Sequence, residues 1–116
     1  MSGVGNQHLD RGIALKIEGK HAEALEELRM AVEEEPDHPE CYHQIGLVYG
    51  FLGLFDESLE QMQAARQLDE HNVTILNDLA FTYAMLGMND EAKAAFEQVL
   101  ALDPDNEIAK KQISFF

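Results

Sequence analysis

The feature that most limits how this chain can fold is an internal period. Gly19, Gly53 and Gly87 stand 34 residues apart, and so do Gly12, Gly46 and Ala80, then Ala24, Ser58 and Ala92, then Leu28, Met62 and Phe96. Leu15, Tyr49 and Tyr83 make a further column, as do Pro36, Glu70 and Pro104. No gap is needed from residue 5 to residue 106, which sets three units at 5–38, 39–72 and 73–106. A period of this length marks stacked copies of one supersecondary unit. An unrelated helical bundle has no reason to repeat a glycine at a fixed interval.

Each unit reads as two helices and a turn. In the second, Tyr42, Ile45, Gly46 and Tyr49 recur at three-to-four spacing, and Phe55, Leu59, Met62, Ala65 and Leu68 do so again after Gly53. The repeating glycine falls where the first helix must stop and reverse, a place that favours positive φ. Glu23, Glu57 and Glu91 then sit in the first turn of the second helix, where negative charge suits the helix dipole. Asn72 and Asn106 are candidate N-caps for the next helix, and Pro39 fits a first helical position. The Gly12/Gly46/Ala80 column against Ala24/Ser58/Ala92 leaves room for two helices to cross closely.

Charge removes several functions. With 22 acidic and 8 basic side chains the 116 residues carry a formal net charge of -14, the wrong sign for neutralising phosphates, so neither nucleic acid nor an anionic membrane surface is an expected partner. The single cysteine, Cys41, excludes an internal disulfide and a Cys-based zinc site. The opening Met1-Ser2-Gly3-Val4-Gly5-Asn6-Gln7 lacks the basic and apolar regions of a secretory leader. No apolar run reaches the roughly 20 residues that span a bilayer, and the expected compartment is cytoplasmic. His8, His21, His38, His43 and His71 are dispersed without metal-ligand spacing, and no phosphate loop or nucleophile elbow can be placed. The expectation is therefore no catalytic residue, no metal and no cofactor.

The repeating residues resemble the tetratricopeptide repeat (TPR) family, whose unit is a 34-residue helix-turn-helix. Its aromatic-x2-Leu-Gly-x2-Tyr run is matched by Tyr42-x2-Ile45-Gly46-x2-Tyr49 and more loosely by Leu76-x2-Leu79-Ala80-x2-Tyr83. Its Ala-x3-Phe and Pro are matched by Ala92-x3-Phe96 and Pro104. His8 and Arg11 in the first unit, Ser58 and Glu70 depart from the pattern. The resemblance implies an all-α, right-handed solenoid: one domain over 1–116, with residues 107–116 as a short capping helix that begins a fourth unit.

In this family the first helices line a concave face that holds the partner. The resemblance thereby assigns to that face the columns Leu9/His43/Asn77, Ile13/Leu47/Phe81 and Ile17/Phe51/Met85, which follow one another at spacing of four. The last two columns form an apolar floor on a surface expected to be exposed, and Asp10, Glu40 and Asp78 form an acidic rim. Packing against a neighbouring helix is the alternative use of the same stripe. The implied activity is protein–protein interaction, with an apolar, basic peptide or helix of another protein in the groove. Some members clamp a peptide's terminal carboxylate with Lys and Asn. The corresponding places here carry Leu9, Ile13, Gln44, Thr74 and Asp78, so the acidic C-termini of the large chaperones are not the implied ligand. The alternative is a structural role, in which the groove or the Phe115-Phe116 tail binds another copy and builds a homo-oligomer.

Overall fold

The computed structural model describes residues 6–116. The five residues before them, which include the leader reading's opening and the first residue of the first unit, lie outside the described residues. Regular structure among the described residues is entirely helical: α1 (Gln7–Ile17), α2 (His21–Glu34), α3 (Pro39–Phe51), α4 (Phe55–Leu68), α5 (Val73–Met85), α6 (Asn89–Leu102) and α7 (Glu107–Ile113).

The periodic glycines close the first helix of each unit by one recurring device. Gly19, Gly53 and Gly87 have φ of 81°, 76° and 75°, and the next residue's N–H reaches back over the turn. Lys20 donates to the Leu15 carbonyl, Leu54 to that of Tyr49 and Met88 to that of Tyr83, each at 2.9 Å. These are Schellman closures, in which an N–H beyond the glycine satisfies a carbonyl orphaned in the last helical turn. The Leu15/Tyr49/Tyr83 column is thus the carbonyl end of each closure.

Helix starts obey the same logic. Asn6, Asn72 and Asn106 each accept from the backbone N–H three residues on, at 3.0 Å in all three cases, which is N-capping worth about 1 kcal/mol each. Pro39 opens α3, where its missing N–H costs nothing. Glu23, Glu57 and Glu91 occupy first turns of α2, α4 and α6.

Packing follows the small columns. A Cβ added at Gly12 would lie 2.5 Å from Leu28, and one at Gly46 would lie 3.0 Å from Met62, so the crossings are as close as the sequence pattern requires. Leu28, Met62 and Phe96, the column that fills the space beside them, are almost wholly buried. The core runs along the stack. Leu9, Leu25, Leu28, Cys41 and Val48 anchor its N-terminal end, and Leu76, Phe96, Val99 and Ala109 its C-terminal end, where α7 closes the last unit. Apart from α1 against α3, the substantial helix packing is between chain neighbours. The Cα radius of gyration is 14.5 Å, above the roughly 13 Å of a compact globule of this length, as a solenoid requires. No described helix is long and apolar enough to cross a membrane.

Candidate functional site

An apolar cleft of about 210 Å³ opens between α3 and α5, with α4 beneath it. Gly46, Leu47, Gly50 and Phe51 supply one wall, Asp78, Phe81, Thr82 and Met85 the other, and Phe55, Ser58 and Met62 the floor. The hollow exists because α3 carries no side chain at Gly46 or Gly50. The floor hydroxyl is also turned away from it: Ser58 Oγ donates to the Gly46 carbonyl at 2.7 Å. On the opposite wall Thr82 Oγ1 donates to the Asp78 carbonyl at 2.8 Å, leaving its methyl for the apolar lining. A wider, more open depression of about 500 Å³ is lined only by Glu34 to Pro39 of one surface loop.

The nine groove residues divide. Leu47, Phe51, Phe81 and Met85 converge on the cleft. Phe51 is 64% and Met85 62% exposed, while Phe81 is 36% exposed and meets Phe96 edge to face with ring centroids 5.4 Å apart. Ile13 and Ile17 on α1 stand outside it. Ile13 packs on the N-terminal core and Ile17 projects into solvent. The expected place on the open concave face is corrected for the first column: Leu9, His43 and Asn77 are all buried. The reason is the stacking direction, since this column faces the following unit. His43 is covered by Asp78 of α5, and Asn77 donates to Asn106 at the start of α7 at 3.2 Å.

The acidic rim is likewise rearranged. His43 Nδ1 lies 2.7 Å from Glu40 Oε1 and its Nε2 2.6 Å from Asp78 Oδ2. Burial alone would lower the pKa of this imidazole, but hydrogen bonds to Asp78 and Glu40 outweigh it and raise it to about 9. At neutral pH the ring is therefore a cation donating from both nitrogens. The hydrogen bond from His43 holds the Glu40 carboxyl below its ordinary value, against a smaller opposing effect of burial. Gln44 Nε2 also donates to Glu40, at 3.1 Å, and Gln44 Oε1 accepts from Lys16 Nζ at 2.6 Å. Glu40 and Asp78 are thus tied to α3 rather than standing free, and Asp10 is the exposed rim acid with no side-chain partner among the described residues.

This polar row was not anticipated from the sequence, although two signals were present. Glu40 and His43 are three apart on one helix, and His43 and Asp78 are one period plus one residue apart. Elsewhere, Cys41 is fully buried, and burial, helped by the charges of Glu35 and Glu40, pushes its thiol up to about 11. It is not an activated nucleophile. No cluster of three or more candidate metal ligands forms among the described residues. The two terminal phenylalanines part company: Phe116 lies on Phe96 with centroids 6.0 Å apart, and Phe115 is 72% exposed.

A solenoid of paired helices with an open cleft between successive first helices defines a repeat scaffold. The family model described as Tetratricopeptide repeat matches residues 40–105, and the chain belongs to that family. Comparison with curated proteins finds no match. Among solved structures, the first TPR of Spaghetti (RPAP3) bound to the HSP90 peptide SRMEEVD superposes with a TM-score of 0.88 at 21% identity, covering 99% of this chain and 94% of that one. The second TPR domain of human RPAP3, in complex with the HSP70 peptide SGPTIEEVD, gives 0.86 at 25% identity over 93% and 90%. An Arabidopsis OM64 TPR domain gives 0.86 at 20% identity over 93% and 89%. These likenesses fix the all-α TPR solenoid.

Proposed function

We propose that this chain is a non-enzymatic scaffold of a reducing, cytoplasmic compartment, whose cleft between α3 and α5 holds an apolar, basic segment of another protein. The observation that carries the reading is the convergence of Leu47, Phe51, Phe81 and Met85 on one hollow edged by Asp78. Two aromatic or sulfur-bearing side chains more than half exposed at one opening are costly to leave in water unless something covers them. The peptides in the related complexes end in Glu-Glu-Val-Asp. The cleft here is edged by the Asp78 carboxylate, of the same sign as the acidic residues of those peptides, which favours a ligand of opposite charge.

The test is capture from a native lysate, read by mass spectrometry, comparing the wild type with the uncharged variants Met85→Asn and Phe51→Asn. These positions are preferable to Phe81, which also packs on the core through Phe96, and to Leu47, which is half-buried. Proteins held by the wild type and lost by both variants, at unchanged helicity, support the groove. Equal retention by all three refutes it. Self-association is a second reading, favoured by the exposure of Phe115 and Ile108 on the last unit. A sedimentation series that stays monomeric as concentration rises counts against it.

A further inference from the structure

The polar row crossing α1, α3 and α5 alternates in sign. It runs from Lys16 through the Gln44 amide to Glu40, then to His43, and ends at Asp78, with donor–acceptor distances of 2.6, 3.1, 2.7 and 2.6 Å. Glu40 and His43 each have partners on both sides. Asp78 has one on one side only: Oδ2 accepts from His43, and the carboxylate makes no other side-chain hydrogen bond among the described residues. Its side chain is 30% exposed and lines the cleft. The rest of that lining is chiefly hydrocarbon, aromatic ring and thioether.

We propose that the cleft receives one long cationic side chain, Arg or Lys, from a bound peptide, its stem lying on Phe51, Phe81 and Met85 and its head on the Asp78 carboxylate. The proposal rests on the groove reading above and specifies what occupies the groove. A purely apolar anchor would fill the cavity but strip water from a carboxylate without replacing it, which is unfavourable. An acidic anchor would add repulsion. A side chain apolar along its length and cationic at its tip satisfies both the walls and the edge, and unlike a neutral hydroxyl or amide it also neutralises the carboxylate. The next positive charge continues the alternation of the row, and the net charge of -14 steers cations towards the surface.

The test starts from a random peptide library panned against the wild-type domain, with the uncharged double variant Phe51→Asn/Met85→Asn as the counter-selection. Peptides that survive are synthesised with each Arg or Lys replaced in turn by norleucine, which keeps the stem and removes the charge. Affinities are then measured against wild type, Asp78→Asn and Asp10→Asn. The expected result is one basic position whose replacement weakens binding to wild type and Asp10→Asn about 10- to 100-fold, the range for a charge-assisted hydrogen bond, and leaves binding to Asp78→Asn nearly unchanged. Should D78N fold poorly, the salt dependence of wild-type binding is read instead: the parent peptide must lose affinity with added salt more steeply than its norleucine form, and equal slopes overturn the proposal. Selected peptides without a basic residue, or a norleucine series that never exceeds a twofold effect, overturn the proposal and leave the groove intact. A library in which nothing enriches over the Phe51→Asn/Met85→Asn control overturns the groove reading itself, and this proposal with it.

Discussion

Raising the pH from 6.5 to 9 is expected to destabilise this protein through one side chain. The ordinary histidine pKa is 6.5, and that of His43 in the fold is about 9. Between those values the folded state holds a proton that the unfolded state has released, so stability falls as pH rises. The contribution is fully present below pH 6.5 and is lost once pH passes 9. A difference of this size corresponds to about 3 kcal/mol, a substantial part of the 5–15 kcal/mol typical of a whole domain. Groups facing the ring are Glu40 from its own helix and Asp78 from α5. Lys16 acts only through Gln44. The assay is urea unfolding followed by circular dichroism at fixed ionic strength, with His43→Asn as reference, because Asn77 fills the same column in the next unit. With an m value of about 1.5 kcal/mol/M, the wild-type midpoint should drop by about 2 M relative to the variant over this window. The series stops near pH 9, since Cys41 with its raised pKa begins to contribute in the same direction above that. A gap between wild type and variant that stays constant within 1 kcal/mol of error, about three-quarters of a pKa unit, would refute the linkage. So would an imidazole resonance of His43 that titrates below pH 7.

Two further outcomes are expected. Gly12→Ala should cost about 1–3 kcal/mol, because the new methyl would sit 2.5 Å from the side chain of fully buried Leu28. Gly46→Ala should cost less, since the flexible Met62 end that it meets at 3.0 Å can turn aside; thermal melts of the two variants that rank the other way contradict the packing account. Cys41 should resist a maleimide at pH 7.5 in the native protein and label fully in urea, and rapid native labelling would show that the junction of the first two units opens readily.

The sequence carried the architecture because every constraint on it is local and repeated. Glycine at a Schellman position, asparagine at an N-cap and a missing side chain at a helix crossing each announce themselves in one residue, and three copies remove the ambiguity. The site was only half legible. Leu47, Phe51, Phe81 and Met85 follow from helix spacing on one face, and the structure does bring them together. What a column faces, however, depends on the rotation between successive units, which no single helix encodes. That is why Leu9, His43 and Asn77, equally regular in spacing, lie under the next unit rather than on the open concave face. Glu40 and Asp78 read as free charges for the same reason, since their common partner belongs to a contact between helices 35 residues apart in sequence. Gly50, Ser58 and Thr82 shape the cleft by what they withhold from it, and absent or averted atoms leave little trace in a pattern search.

The packing of helices chiefly against their chain neighbours makes the molecule close to a one-dimensional chain of coupled switches. A ligand wedged between α3 and α5 would fasten the second unit to the third and leave the joint between the first two untouched. Amide exchange should then slow in the central and C-terminal helices on binding while α1 and α2 keep opening at their own rate. Mechanical load applied to the two termini would peel the first pair away before the occupied joint gave.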